Sequence, residues 1–423
     1  MEFLSRDVLF TYRHCRERAF LPDCHELFVT VASRAIWQNK RRCSNMSSRS
    51  TNRIGVAMGG AEISSKGDSI MASRREFLTN AAGAVAGFYA FGALPLAVAQ
   101  VPRREVSIGG RRVKVVDIHG HCAVEAVEEI IRGTNVERSI SRNRLLGPHR
   151  LDLINERGID VQVMSANQYW WYAADEELAR DIVRIQDEGI AEWIANHADR
   201  FVALTSVALQ HPELAAEQLE YAVKELNFRG ASVAGHVAGD SLTLAKFDPF
   251  WAKAEELAVP VFMHPGGADN IVTETAFDGR GDLGNIIGNP LETATFLTRM
   301  IFEGTLDRFP GLKVIGSHGG GFLPSYLGRT EVACEVRGNA DCANIKLPSE
   351  YLKDQILVDS MVFSDEGLRH LVAEVGASQV VYGTDIPLVW PDTLDLIIDS
   401  PHFSDAEKEA MVGGNLVKLL NIS

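Results

Sequence analysis

The stretch Val116-Asp117-Ile118-His119-Gly120-His121 ends a short β-branched run that begins at Val113. In an extended strand, residues two positions apart point to the same side, so His119 and His121 can aim both imidazoles at one point. Two imidazoles that meet in this way form a typical pair of metal ligands. The stretch therefore predicts a strand that carries chemistry at its carboxyl end, and later parts of the chain repeat the arrangement.

Eight such runs follow one another after residue 100, separated by amphipathic segments. The runs are 113–118, 160–165, 201–207, 230–234, 260–264, 313–317, 356–359 and 380–384. The segments with apolar residues at helical spacing include 175–196, 212–226, 249–257, 292–308 and 365–375. Repeated βα units predict an α/β fold, a (β/α)8 TIM barrel over residues 100–423. An open doubly wound sheet is the alternative, but no Gly-rich dinucleotide turn follows the first run.

A long segment rich in Gly, Asp and Asn, residues 266–289, follows the fifth run. Loops after the strands form the active-site face of a barrel, so this segment is either a lid or substrate loop or a plain surface insertion. The sequence leaves both interpretations open.

Composition and charge exclude several classes of protein. The chain has 423 residues, of which 46% are hydrophobic, and a formal net charge of −14, the profile of a globular protein with a large core. The excess of acidic residues lies after residue 99, so nucleic acid is not expected as a partner. None of the six cysteines lies in a Cys-x-x-Cys motif, which suggests neither a zinc ribbon nor a disulfide framework.

The first hundred residues are predicted to be separate from the barrel. Ser73-Arg74-Arg75-Glu76-Phe77-Leu78 precedes a weakly apolar Ala/Gly-rich run that ends at Ala99. This order is typical of a twin-arginine signal, so residues 71–99 are predicted to be removed during export to the periplasm, with no stable membrane insertion afterwards. The alternative is an uncleaved membrane anchor, against which the glycines and Pro95 argue. Residues 1–70 show no motif and are interpreted as a non-native extension ahead of Met71.

Three other runs also end in polar residues of metal-site type. His264-Pro265 ends the fifth run, Ser317-His318 the sixth, and Thr384-Asp385 the eighth. A lone His after an apolar run is more often a core or capping residue, and His197, His211 and His236 are interpreted in that way. The joint placement of the others at the ends of several strands predicts a metal site, because neutral imidazoles and a carboxylate suit a divalent ion such as zinc.

These strand ends and several further motifs resemble the amidohydrolase superfamily, in particular the branch of aminocarboxymuconate-semialdehyde decarboxylase. The resemblance covers roughly residues 113–421. It includes Gly235-His236-Val237 within residues 230–239, His264-Pro265, His318-Gly319-Gly320-Gly321 followed by Gly328-Arg329, Tyr382-Gly383-Thr384-Asp385-Ile386-Pro387, and Gly414-Asn415 ahead of Leu419-Leu420.

The resemblance implies roles for individual residues. The implied ligands of a divalent metal, usually zinc, are His119, His121, His264 and Asp385. His318 is implied as the acid/base residue. Arg329 and Arg337 match the spacing of substrate-binding arginines, the second of which would serve a neighbouring subunit, so a homodimer is expected.

Two departures from the branch concern the substrate. Gly266 stands where the decarboxylase has a Trp after its fifth-strand His-Pro, and no arginine aligns clearly with the first carboxylate-binding Arg of the family. Arg138, Arg142 and Arg144 are the candidates. The fourth run supplies no Lys or Glu to bridge a second metal, so one metal ion is expected.

The expected activity is that of a mononuclear, metal-dependent carboxy-lyase acting on a small aromatic or unsaturated carboxylic acid. The same residues could instead serve a hydrolase of an ester, lactone or amide, since the fold does not decide the reaction. Release of CO2 distinguishes the first from the second. A non-catalytic binding barrel is the third alternative, and it would show no turnover with metal bound.

Overall fold

The computed structural model describes residues 101–268, 271–273 and 275–423. They fall within one compact unit, Leu96–Ser423. The expected extension, residues 1–70, and the expected signal, residues 71–99, lie outside the described residues. Among the helices of the described part, none combines the length and the apolar character needed to span a bilayer.

Eight parallel strands form the barrel. They are β1 (Val116–His121), β2 (Val161–Ser165), β3 (Phe201–Ala203, continued by Thr205–Ser206), β4 (Ala231–Val233), β5 (Val261–Met263), β6 (Val314–Gly316), β7 (Ile356–Asp359) and β8 (Val380–Val381). Each pairs with the next in sequence, from β1 to β8. The circle closes where the Ile118 and His121 N–H groups donate to the carbonyls of Tyr382 and Ile386, at 3.0 and 2.8 Å. The predicted barrel is confirmed.

The first strand differs from its predicted bounds, since it begins at Val116 and extends to His121. Its pairing with β2 continues to His121 opposite Ser165, after an irregularity between Asp117 and Gly120. The His-x-His pair therefore lies inside the strand, held by backbone hydrogen bonds on both sides.

Thirteen helices in the described residues surround the strands or close their ends. They are α1 (Val127–Ile131), α2 (His149–Glu156), α3 (Glu176–Ala195), α4 (Pro212–Lys224), α5 (Asp248–Glu256), α6 (Asn289–Phe302), α7 (Thr305–Arg308), α8 (Leu327–Val336), α9 (Pro348–Leu352), α10 (Asp365–Val375), α11 (Leu394–Asp399), α12 (Asp405–Glu409) and α13 (Asn415–Leu419). The side chain of Asp175 caps α3 by accepting from the Leu178 N–H at 3.0 Å. The single helix predicted over 292–308 is wrong, because Gly304 adopts a left-handed φ of 68° and separates α6 from α7.

The amino end of the barrel is apolar and closed. Phe262, Ile315 and Leu357 from neighbouring strands belong to one buried cluster with Leu416 and Leu420 of the last helix and its end. Burial of these side chains leaves the polar residues concentrated at the carboxyl ends of the strands.

A disulfide links Cys334 in α8 to Cys342 in the following segment, with the Cα atoms 6.0 Å apart. The sequence did not suggest it, because no spacing motif marks the pair. The chain turns back after α8 ends at Val336, and this turn brings the two side chains together.

Candidate metal centre

Four side chains from three strands converge at the carboxyl end of the barrel. The candidate ligand atoms of His119, His121, His264 and Asp385 all lie within 4.8 Å of one another, and all four residues are buried. Asp385 Oδ1 is 2.5 Å from His121 Nε2, 3.0 Å from His119 Nε2 and 3.9 Å from His264 Nε2. The structure thus brings together the four residues that the resemblance implies as ligands.

The outer ring nitrogens of two of these histidines are held by neighbours. His119 Nδ1 lies 2.9 Å from Asp359 Oδ2, and His264 Nδ1 lies 2.9 Å from the carbonyl oxygen of Pro265. Both partners are acceptors, so each Nδ1 carries the proton and each Nε2 has a free lone pair.

The inner nitrogens fit a cation. Nε2 of His119 and of His264 are buried and make no well-directed hydrogen bond within the described part of the chain. Burying an unsatisfied polar group costs about 1–3 kcal/mol, and a divalent ion would accept both lone pairs at once. Three imidazoles and one carboxylate around one point are a donor set for such an ion.

The cluster side chains shift one another's pKa values. Burial opposes the charged form of His119, but Asp385 and Asp359 together raise its pKa to about 10. Burial lowers the pKa of His121 to about 4 and also lowers the pKa of His264. Burial would raise the pKa of Asp385, but the two β1 histidines hold it well below its usual value. In the charged form of His119 the second proton lies on Nε2, the position that a bound cation would take.

Several residues with a strained backbone lie at this end of the barrel. Five non-glycine residues after the strand ends have a left-handed φ: Gln168 (70°), Ala238 (50°), His318 (55°), Phe363 (52°) and Asp385 (62°). Residues held in this sparsely populated region often mark functional sites. Here the strain accompanies the placement of Asp385 and His318.

His318 lies beside the cluster without belonging to it. Its ring centre is 5.3 Å from that of His119 and 5.4 Å from that of His264. Nδ1 is 3.4 Å from the Ser317 hydroxyl, which leaves Nε2 without a described partner. Burial and the charge on His119 lower the pKa of His318, which favours an imidazole able to accept a proton.

The two arginines that the resemblance assigns to the substrate lie on α8 and just after it. Arg329 lies exposed on α8, and Arg337 follows the end of that helix, also exposed. Neither side chain makes a hydrogen bond or ion pair with any residue that the structure describes, so both roles remain predictions.

The other three arginine candidates differ in their burial and in their partners. Arg142 is exposed and paired with Glu125 and Glu128, at 2.6 and 3.1 Å. Arg144 is half-buried, donates to the side chain of Gln168, and lies close enough to lower the pKa of His121. Arg138 is exposed.

The three histidines interpreted as structural have backbone partners. His197 Nδ1 is 3.0 Å from the Trp193 carbonyl, and His211 Nε2 is 3.2 Å from the Ala174 carbonyl. His236 Nε2 is 3.2 Å from the Gly267 carbonyl, and its Nδ1 accepts from the Gly239 N–H at 3.2 Å.

Two buried aspartates of the site were not identified from the sequence. Asp359 orients His119 and accepts from the Gly319 N–H at 2.8 Å, so it links β1, β7 and the His318 loop. Asp117 accepts from the Thr384 hydroxyl at 2.6 Å and from the His119 N–H at 2.9 Å, which joins the ends of β1 and β8. The sequence feature that could have identified these two aspartates is their position at or near the end of a β-branched run.

Comparison with known proteins places these residues in a family. The amidohydrolase family model matches residues 116–422, a range that includes all eight strands. The chain is similar to 2-amino-3-carboxymuconate-6-semialdehyde decarboxylase of Dictyostelium discoideum, with 30% identity over 73% of this chain and 85% of the relative. It is also similar to gamma-resorcylate decarboxylase of a Polaromonas species, with 29% identity over 67% of this chain and 90% of the relative.

This chain is also similar to a protein of known structure. Dihydroxybenzoic acid decarboxylase of Polaromonas, with bound manganese and the inhibitor 2-nitroresorcinol, superposes with a TM-score of 0.64 at 25% identity, over 73% of this chain and 97% of the other. These matches confirm the predicted fold and the predicted class of enzyme, a metal-dependent carboxy-lyase.

Proposed function

The chain belongs to the amidohydrolase family, and from that premise we propose that it decarboxylates an aromatic or unsaturated carboxylic acid with the aid of one divalent metal ion. The observation that carries the proposal is the buried cluster of His119, His121, His264 and Asp385 with His318 beside it. The decarboxylases among its relatives support the same reaction.

One metal ion per chain agrees with the ligand set. The four cluster residues would hold it, and zinc is the proposed ion because imidazole and carboxylate ligands suit it. When bound, the ion would supply a positive charge that orients and polarises a substrate oxygen. Manganese is the ion in the Polaromonas relative, so metal analysis of this protein decides between them.

His318 would move the proton that decarboxylation requires. As the bond between the ring or alkene carbon and the carboxylate breaks, CO2 departs and that carbon must gain a proton. Nδ1 of His318 faces Ser317, so Nε2 is the atom that would exchange the proton with the substrate.

Arg144 is the proposed partner of the substrate carboxylate. It is half-buried and close to His121, whereas Arg142 already has two carboxylate partners on the surface. Its interaction with Gln168, itself in a strained backbone conformation, holds the guanidinium at the end of β2.

A homodimer would give Arg329 and Arg337 a function. The helix that carries Arg329 exposes apolar side chains, with Val332 45% and Val336 65% accessible. A second copy could cover these side chains and receive Arg337, as the resemblance implies. The dimer is therefore part of the proposal.

Export to the periplasm by the twin-arginine route is also proposed. The Cys334–Cys342 disulfide supports it, because such bonds persist in oxidising compartments and are rare in the cytosol.

The reaction can be tested by product analysis of the metal-loaded protein. Hydroxybenzoates and muconate-type acids are supplied in one panel and esters, lactones and amides in another. We expect CO2 and a decarboxylated product from the first panel, with loss of metal and turnover in His119→Ala. We also expect His318→Ala to keep its metal and slow turnover by about 10²–10⁴-fold.

Two outcomes would contradict the proposal. An acid with an alcohol or amine product and no CO2 would identify a hydrolase. Full metal content without turnover on either panel would identify a binding barrel.

A further inference from the structure

The loop after β2 carries a buried tyrosine whose ring faces two arginines. Tyr169 is 4% exposed, and its ring centre lies 5.3 Å from Cζ of Arg138 and 5.5 Å from Cζ of Arg144. Both distances are in the range of a cation–π interaction, in which the negative face of the ring attracts the guanidinium. One neutral side chain therefore attracts two of the three arginine candidates for the substrate carboxylate.

The ring of Tyr169 is fixed by two parts of the chain. Its hydroxyl accepts from the Ser141 N–H at 2.7 Å, which ties it to the segment that carries both arginines. Its ring stacks on that of Trp171, with the ring centres 5.8 Å apart and an interplanar angle of 14°. Trp171 Nε1 in turn donates to Gln186 Oε1 of α3 at 3.3 Å. The arginines thus meet an aromatic face that is held in place before a ligand enters.

The backbone places Arg144 beside the candidate metal cluster. The Ala123 N–H donates to the Arg144 carbonyl at 2.8 Å, and the Leu146 N–H donates to the Ala123 carbonyl at 3.3 Å. Ala123 comes two residues after His121, so these bonds attach the arginine segment to the chain that leaves the end of β1. The Arg144 backbone therefore lies close to a candidate metal ligand.

The partners of the Arg144 side chain are neutral. Its guanidinium donates to the amide oxygen of Gln168 and lies over the Tyr169 ring, and it makes no ion pair with any residue that the structure describes. Arg142, two positions earlier, is paired with two glutamates. A carboxylate balances the charge of a guanidinium, whereas an amide oxygen and a ring hold it and leave the charge unbalanced. This difference favours Arg144 as the cation that meets an anionic ligand.

Arg138 shows the same pattern on the other side of the segment. It lines a cavity of about 530 Å³ at the carboxyl ends of β2, β4 and β5, together with Gln168, Trp170 and Gly266. Among the described residues it also has no carboxylate partner. The Tyr169 ring is therefore a place where this acidic chain keeps arginine charges without neutralising them.

We propose that Tyr169 is a positioning residue, whose ring holds the Arg144 guanidinium through a cation–π interaction so that its unbalanced charge meets the carboxylate of the substrate. The inference rests on the proposed function, which assigns that carboxylate to Arg144. It adds the reason why a half-buried cation is stable there without an acidic neighbour, since a cation–π interaction strengthens when the cation is removed from water.

The test compares an anionic ligand with a neutral ligand of similar shape. Benzoate and benzamide are titrated into the metal-loaded protein by calorimetry, and the ratio of their affinities measures the preference for a negative charge. Tyr169→Leu removes the aromatic face, so this preference should fall about fivefold, which corresponds to about 1 kcal/mol. The affinity for benzamide should stay as in the wild type, because a neutral ligand does not depend on the held cation.

Two further changes keep a ring at this position. Tyr169→Phe retains the negative face and should retain the preference for benzoate. Pentafluorophenylalanine at position 169 has a similar shape but a reversed quadrupole, so it should lower the preference as the Leu change does. This pair separates the charge of the ring from its packing, and it replaces Tyr169→Leu if that variant does not fold.

A double-mutant cycle connects the ring to the arginine. Arg144→Met should lower the preference for benzoate by itself, and adding Tyr169→Leu should have no further effect, because both changes remove the same interaction. Tyr221→Leu is the matched control. That ring lies 5.9 Å from Cζ of Arg184, between the outer helices α4 and α3, and its loss should leave the preference unchanged.

Metal content and thermal stability are measured on every variant. An unchanged preference for benzoate in folded, metal-loaded Tyr169→Leu would overturn the proposal, as would an equal loss of benzoate and benzamide binding or additive effects in the cycle. A preference that Arg144→Met does not change would overturn this inference together with the assignment of Arg144. Absence of CO2 release with the expected binding pattern would support the inference and reject only the proposed reaction.

Discussion

At the scale of single residues, the candidate ligands are oriented by buried side chains outside the cluster. Asp359 sets the tautomer of His119 through a 2.9 Å contact, and Asp117 ties the turn at Thr384 to β1. Ligand residues can be recognised by type and place, but their orientation comes from these buried partners.

Asp359→Asn should weaken metal binding by about 10–100-fold, the usual effect of losing the partner that orients a metal ligand. The amide can still accept from the Gly319 N–H, but its NH2 group would face His119 Nδ1. That contact favours a proton on Nε2, where the metal needs a lone pair. Competition with a chelator measures the affinity, and Asp354→Asn, a surface change that affects only an ion pair with Lys313, is the control. Equal affinities in both variants would remove Asp359 from this role.

Asp187 predicts an unusual pH dependence of stability. Burial raises its pKa to about 8 from an ordinary 3.8, and the 2.6 Å bond from the Thr205 hydroxyl offsets only part of this effect. Between these values the folded protein keeps a proton that the unfolded chain has released. The contribution of Asp187 to stability is therefore fully present below about pH 4 and is lost as the pH rises through about 8.

Asp187→Asn should remove that dependence. At about pH 8 its free energy of unfolding should exceed that of the wild type by about 1–3 kcal/mol, the cost of an unsatisfied buried polar group, and the difference should shrink towards about pH 5. Urea unfolding at the two pH values measures it, with Asp181→Asn, an exposed position on the same helix, as control. A pH-independent difference would contradict the assignment.

At the scale of elements, α8 and the segment after it are mostly exposed. Of the ten residues of α8, only Leu327 is buried, and the Cys334–Cys342 disulfide ties its last turn to the returning chain. Arg337 lies within the loop that this bond closes. The disulfide therefore stabilises the segment that the proposed dimer would use.

Reduction should make that loop accessible to protease. Protein isolated from the periplasm should yield the linked Cys334–Cys342 peptide in a non-reducing map, while the buried Cys122 stays a thiol. After mild reduction, trypsin should cut faster after Arg337, and cutting after the exposed Arg280 should not change. Both cysteines found free in periplasmic protein would exclude the bond there.

At the scale of the whole molecule, the barrel gathers residues from distant parts of the chain at one end. A (β/α)8 fold places all eight strand ends on one face, with the apolar cluster below it. The candidate metal cluster and the cavity lined by Gln168, Trp170 and Gly266 both lie on that face.

Metal should stabilise the fold in a one-to-one ratio. Purified protein should contain close to one divalent ion per chain, and chelation should lower the melting temperature, because ligand bound only to the folded state adds about 4 kcal/mol at 1,000 times its Kd. His370→Ala removes a partly exposed histidine outside the cluster and should keep the ion. Two tightly bound ions per chain would contradict the mononuclear site.

The sequence and its family resemblance predicted the eight strands and the class of enzyme, and they singled out the four residues that the structure brings into one buried cluster. The strand pattern and the residue types at the strand ends can be read from short stretches of sequence. The family resemblance adds the roles of individual residues. The tertiary structure alone decided that Asp359, 240 positions from His119, is its partner, that Trp170 packs on Gly266, and that Cys334 joins Cys342. The first two contacts depend on how distant segments pack, and the disulfide depends on the turn that follows α8. No local pattern of residues encodes either.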